Sequence, residues 1–407
     1  MSTVATLEQI RAHFPALERA HNGHPVAYFD GPGGTQVPRA VVEAMTEYLY
    51  DHNANTHWHY PSSHETDELI ADARRAVGDF LNARPDEIAF GANMTTLTFH
   101  LARALGRGWG PGDEVVITEL DHHANQAPWR AIERERGITI RVAKFHPGRG
   151  ELDWESLAAC ITPRTKLVAI GAGSNALGTV TDVSRAADMA HAVGALCFVD
   201  AVHYAPHFLV DVRRSRCDFL ACSSYKFHGP HIGILYGRHE LLASLDVPKL
   251  APAPNEAPDR LETGTQNHEG IIGTMAAIDF LADLAHGDTR RERLQRSYDE
   301  IHRRSHSLFA QLWGALGEID GVTVYGPSVD APRTSTLAFA LKDHKALAVA
   351  EFCAARGLFV SHGDFYASTV VDRLGHQPDG LVRIGLACYT AGEEIDRLIR
   401  SVQVLAR

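Results

Sequence analysis

Three polar residues, Asn175, Asp200 and Lys226, each stand just past a short apolar run, 25 and 26 residues apart. That spacing holds one strand, one crossover helix and the return strand, so all three can converge on one edge of a parallel sheet. Alone, an aspartate at a strand end is a helix cap or turn former, and a lone lysine is a solvated charge. Together they lie beside small polar and glycine residues: Ser223-Ser224-Tyr225-Lys226, then His228-Gly229-Pro230. A lysine forms a Schiff base with an aldehyde when it gives up its proton readily, which burial and neighbouring hydroxyls favour. Pyridoxal phosphate is such an aldehyde, and it needs an acid beside its ring nitrogen to keep that nitrogen protonated. Asp200 suits that role. The phosphate needs backbone N–H groups at a helix start, and residues 91–102 supply one, with Asn93 as cap and Thr95 and Thr96 as hydroxyl donors. In Asp121-His122-His123-Ala124-Asn125 a flat imidazole can stack on a pyridine ring. Read singly, these last two segments are equally an ordinary capped helix and a histidine pair at a helix start.

The elements that must position these groups are legible as a pattern. Strand-like apolar runs at 113–118, 138–142, 165–170, 194–199, 218–222 and 232–236 alternate with helical periods at 124–136 and 183–192. This predicts an α/β fold with a mostly parallel sheet covered on both faces. Ligands then sit at the carboxyl ends of the strands. Residues 249–260, rich in Pro and Ala, read as a surface loop, followed by helices over 271–284 and 290–316. From Val322 the pattern restarts: strand 336–341, helix 345–356, strand 358–361, strand 381–386 and helix 391–405, a smaller α+β unit.

Composition narrows the partners. The chain has 407 residues, 45% apolar and 22% charged, and can bury a large core without staples. A net charge of −11 disfavours nucleic acid and anionic membranes, leaving a small molecule in a pocket. No apolar run approaches the ~18–20 residues that span a bilayer. The start carries no basic stretch followed by an apolar one, and the six cysteines are scattered without CxxC spacing. A cytoplasmic protein with reduced thiols is expected.

The motifs Tyr28-Phe29-Asp30, Thr95-Thr96, Asp121-His122-His123-Ala124-Asn125, Ser174-Asn175-Ala176-Leu177-Gly178-Thr179, Val199-Asp200, Ser223-Ser224-Tyr225-Lys226 and Glu262-Thr263-Gly264-Thr265 occur in one order. Their order and spacing resemble the class V aminotransferases of fold type I, nearest the SUF-type cysteine desulfurases, from about Leu7 to Leu405. The resemblance implies a seven-stranded, mostly parallel sheet in a large domain over 26–285. It further implies a small α+β domain over 286–407, a segment 1–25 packing with it, and a homodimer with sites at the subunit interface. It implies that Lys226 carries pyridoxal phosphate and shuttles a proton, that His122 stacks on the ring, and that Asp200 pairs with the ring nitrogen. Asn175 would lie near the ring oxygen or the substrate carboxylate. Thr95 or Thr96, Ser223 and Tyr225 would hold the phosphate, and Thr265 would reach it across the dimer. His203 stands where these enzymes usually have Gln, and Arg383 would clamp the α-carboxylate.

One departure is decisive for the expected reaction. Desulfurases of this type carry an arginine and a nucleophilic cysteine in the loop before the last strand; here Val360–Ser368 has no cysteine. Persulfide chemistry needs an attacking thiolate. The expected reaction is therefore β-elimination on a cysteine-like amino acid without persulfide formation, with transamination and then epimerisation as alternatives. The segment 53–64 holds His57, His59 and His64 among aromatic and polar residues. It reads as a substrate wall in preference to a metal site. A metal-dependent hydrolase using His57, His59 and His122 is the reading from a different class.

Overall fold

The computed structural model describes residues 4–407; Met1–Thr3, part of the start read for a leader, lie outside the described residues. Seven strands form the central sheet: β1 Ile88–Gly91, β2 Glu114–Thr118, β3 Thr139–Ala143, β4 Thr165–Gly171, β5 Leu196–Asp200, β6 Phe219–Ser223 and β7 Gly233–Gly237. Their spatial order is β1-β7-β6-β5-β4-β2-β3. Successive side chains alternate between faces, and the apolar runs divide accordingly. Val116, Val168, Ile170, Val199 and Leu220 enter one buried cluster, while Val115, Ile117, Leu167, Phe198 and Phe219 enter another on the opposite face. A continuous apolar strand is thus a strand covered on both sides.

β7 runs antiparallel to both β6 and β1, while the other pairs are parallel. The reason is length. Only residues 224–232 join β6 to β7, too few for a crossover helix, which needs a dozen or more.

A second sheet is antiparallel throughout: β8 Val322–Tyr325, β9 Thr336–Leu341, β10 Ser361–Gly363 and β11 Leu381–Gly385, in the order β8-β9-β11-β10. It packs on the helices Arg290–Gly317, Ala346–Ala354 and Gly392–Leu405 around a third cluster. The expected strand 358–361 is two pieces. Leu358–Phe359 pairs in parallel with Ala27–Tyr28, and Ser361–Gly363 turns into the second sheet. The chain crosses at Val360 from one pairing partner to the other. The 21-residue helix Pro61–Leu81 and β8 were not anticipated from the pattern. Among the described residues, no helix is long and apolar enough to cross a membrane.

Candidate active site

Asp200 ends β5, Ser223 ends β6, and Asn175 follows β4 in the loop after its carboxyl end. Lys226 closes a 3₁₀ turn, Ser224–Lys226, directly after β6. The parallel register of β4, β5 and β6 brings these ends together, and they line a cavity of about 430 Å³ with Thr95, His122, His203 and Tyr225. A second cavity of about 800 Å³, lined by Arg383, shares Thr95, His122, Asn175, Tyr225 and Lys226 with the first. Neither is lined by a cysteine.

Burial and a facing cation set the lysine. Its Nζ donates to the Pro32 carbonyl at 2.5 Å. Desolvation, helped by the Arg383 guanidinium, pushes the ammonium down to about 7. A buried charged form is disfavoured, so the amine begins to shed its proton near neutral pH, where an ordinary lysine holds it. Asp200 goes the other way: burial raises its carboxyl to about 6, against the pull of the Val202 amide and of Lys226. Asp121, beneath it, is raised to about 8 by burial and by the Asp200 charge. It accepts from the Gly171 amide at 2.8 Å and from Asn125 Nδ2 at 3.1 Å. Burial beside Lys226 and Arg383 lowers His122 to about 4. His122 Nδ1 accepts from the Ala124 amide at 2.9 Å, which leaves the ring proton on Nε2.

The helix Met94–Gly106 points its start into the first cavity. Asn93 caps it, Oδ1 accepting from the Thr96 amide at 2.9 Å, and the Met94 amide donates to Ser223 Oγ at 3.0 Å. The Ser223 hydroxyl proton is thereby left to donate elsewhere. At Gly233 a Cβ would fall 2.4 Å from the Asn93 carbonyl carbon, so only glycine lets β7 approach this cap. Asn175 Nδ2 donates to the Phe365 carbonyl at 2.8 Å, and Arg383 Nη1 donates to the Asn175 carbonyl at 3.0 Å. His203 Nε2 lies 3.2 Å and 3.1 Å from the Thr334 and Thr336 hydroxyls. Asn175 Oδ1, His203 Nδ1, Arg383 Nε and Asp30 Oδ1 are buried without partners. Buried polar atoms are ordinarily satisfied, so this cluster of orphans fits a polar ligand.

Two expected site residues stand apart. Thr96 Oγ1 turns back to Asn93 Oδ1 at 3.0 Å and lines neither cavity. A helix advances about 100° per residue, so when Thr95 faces the cavity Thr96 cannot. Thr265 is exposed on the loop before the helix His268–Asp283, away from both cavities of its own chain. Nor does the segment 53–64 line either cavity of its own chain. His57 is 81% exposed at its side chain and pairs with Asp67 at 3.3 Å, and Trp58 is 58% exposed. Among the described residues, no three His, Cys, Asp or Glu side chains gather as a metal site.

Other residues carry no role in the sequence reading yet lie at the site. Asp121 and Pro32 line the cavities, as does His231, whose ring stacks on Tyr225 at 4.8 Å; Asp30 lies behind them, its charge felt by Lys226 and Arg383. Phe365 lies 4.3 Å from the Arg383 guanidinium carbon, and the Tyr366 carbonyl accepts from the His123 amide at 2.8 Å. Asp121 could have been found from its place beside the histidine pair.

Residues 27–398 match the family model "Aminotransferase class-V". The chain belongs to the class V aminotransferase family. It is 33% identical to a cysteine desulfurase of Pectobacterium carotovorum over 98% of each chain. Its fold matches the apo cysteine desulfurase of Thermococcus onnurineus with a TM-score of 0.90 at 28% identity, over 100% of this chain and 99% of the other. A cysteine desulfurase of Escherichia coli matches with a TM-score of 0.86, also at 28% identity, over 98% of each. As a class V enzyme the protein depends on pyridoxal phosphate. The residues present fit that group: a helix start with a free hydroxyl, a buried carboxylate, a flat imidazole and an amine that sheds its proton near neutrality.

Proposed function

We propose that this class V enzyme breaks a Cβ–S bond in a cysteine-like amino acid by β-elimination and forms no persulfide on itself. The observation that carries the proposal is the lack of a cysteine along either cavity, although the lysine, carboxylate and arginine are gathered there. Cys388 is buried with its Sγ 3.4 Å from His228 Nε2, and burial pushes its thiol up to about 12; Cys353 is raised likewise to about 11. Such thiols are inert as nucleophiles.

Pyridoxal phosphate, when bound, supplies an aldehyde that captures amines and a ring that draws electrons from Cα. The chain's own groups do the rest. Thr95, Ser223 and the start of the helix Met94–Gly106 would hold the phosphate, and Asp200 would hold the proton on the ring nitrogen. Arg383 binds the substrate carboxylate through its orphaned Nε and fixes which substituent of Cα faces Lys226. Nζ, which sheds its proton near pH 7, takes the Cα proton; the Cβ–S bond then breaks and its electron pair leaves with sulfur. Overall, one thioether or thiol amino acid and one water give a thiol or sulfide, pyruvate and ammonia.

The test is direct. Holoenzyme given L-cysteine and S-alkyl cysteines should release pyruvate and ammonia in equal amounts without a keto acid. Mass spectrometry of the intact chain should show no added sulfur. A persulfide on any thiol, or amine transfer that requires a keto acid, would overturn the proposal.

A further inference from the structure

The geometry points to substrates whose β-substituent is large, aromatic and not anionic, seated in the outer cavity beyond Arg383. This deepens the elimination reading and rests on it for the bond that breaks, though not for what binds. The two cavities meet at His122 and Lys226. The outer one, about 800 Å³, falls in the range of ~300–1,000 Å³ that encloses drug-sized ligands. A cysteine side chain fills little of it. With the α-carboxylate held at Arg383 and Cα at Lys226, a β-substituent has that volume ahead of it.

The walls define its chemistry. Phe99 lies one turn after Thr95 on the same helix and lines the outer cavity. It is half-buried, and among the described residues it joins none of the three apolar clusters. It stands in the cavity wall with Ala124 and Ala127. Gly33 also lines it, with φ outside the left-handed region, so crowding and not backbone conformation is what a side chain would meet there. A Cβ at Gly33 would lie 3.1 Å from the Asp30 carbonyl and 3.7 Å from Arg383 Nη2, narrowing the approach over the guanidinium. The missing side chain keeps that approach open. Charge excludes acidic substituents. Lys226 and Arg383 sit where amine and carboxylate must go, and the remaining wall carries the carboxylate of Asp364 and no lysine or arginine. An anion there would meet a like charge and no permanent cation, the other bases of that wall being the imidazoles of His122, His123 and His362. An aromatic substituent would meet Phe99.

Titration of the holoenzyme with S-benzyl-, S-methyl- and S-carboxymethyl-L-cysteine tests this, with dissociation constants read from the cofactor's visible absorbance and pyruvate measured separately. S-benzyl-L-cysteine should bind at least tenfold tighter than either of the others. Ala127→Trp, which fills the wall, should reduce the benzyl-over-methyl ratio below threefold. Equal or weaker binding of the benzyl compound, or equal binding of the carboxymethyl one, overturns the inference, and the wild-type series decides this even if the variant does not fold. Benzyl preference without pyruvate removes the elimination reading and leaves the substrate class standing. Pyruvate from S-methyl-L-cysteine with no benzyl preference does the reverse.

Discussion

Lys226 is the residue on which the proposed chemistry turns, and its environment makes a pH prediction. An ordinary lysine is protonated until about 10.5, whereas burial brings this one down to about 7. The lowered value means that the folded chain releases the proton first, so the reactive neutral amine accumulates as pH rises through about 7. Incorporation of pyridoxal phosphate into apoenzyme should therefore quicken between pH 6 and 8 and level off above, as followed by visible absorbance. A rise continuing towards pH 10 would mean the lysine is not desolvated. Borohydride reduction followed by peptide mapping should place the label at Lys226, and Lys226→Ala should lose both label and turnover. At Arg383 the loss of a charged hydrogen bond is worth about 1.5–3 kcal/mol. Arg383→Ala should accordingly raise KM for α-amino acids roughly 10- to 100-fold, while cofactor absorbance stays intact. An unchanged KM would argue that the carboxylate binds elsewhere. Lys226, Asp200 and His122 were legible in the sequence because each ends or follows a buried apolar run. Phe365 and Tyr366 were not. Their φ values, 58° and 54°, place two consecutive non-glycine residues in the left-handed region, which nothing in their side chains announces. Contacts with Asn175, Arg383 and His123 hold them there.

Among the elements, the helix Met94–Gly106 opens its first turn onto the first cavity, where the proposal seats the phosphate. Asn93 satisfies both the Thr96 amide and the Thr96 hydroxyl, and so fixes the first turn, from which Thr95 faces the cavity. Replacing an N-cap Asn by Ala costs about 1 kcal/mol. If that cost falls on the bound state, Asn93→Ala should weaken pyridoxal phosphate binding about fivefold, measured by equilibrium dialysis, with the lysine chemistry unaltered. Unaltered affinity would show that the phosphate does not use this turn. Sequence spacing located this helix because its cap precedes an apolar period. It missed Pro61–Leu81, which has no side-chain cap bond and begins instead at a proline. The direction of β7 was legible only in hindsight, as a consequence of a linker too short to cross the sheet.

At the scale of the whole molecule, Thr265 is exposed and lines neither cavity of its own chain. Of the nine large hydrophobic residues exposed among the described residues, Val42, Leu49, Tyr50, Trp58 and Tyr60 fall within one stretch of 19, and clustered apolar exposure is what an interaction surface requires. This stretch adjoins the loop that bears Thr265: the helix His268–Asp283 packs on Arg39–Glu47, and Tyr48 Oη lies 3.2 Å from His268 Nδ1. We propose that a second copy of the chain covers the patch and that each copy's Thr265 reaches the other's phosphate. The segment 53–64, read from sequence as a substrate wall, would then owe its Trp and Tyr to the subunit contact. An apolar stretch beside histidines looks alike in either role until its exposure is known. Tyr50→Glu combined with Trp58→Glu should turn the dimer into a monomer in analytical ultracentrifugation. The same variant should also bind pyridoxal phosphate more weakly, because each site loses its partner's hydroxyl. Thr265→Ala should reproduce the weaker cofactor binding but leave the dimer whole. A variant that becomes monomeric yet holds the cofactor as tightly as the native chain would separate the interface from the site and refute the shared phosphate contact.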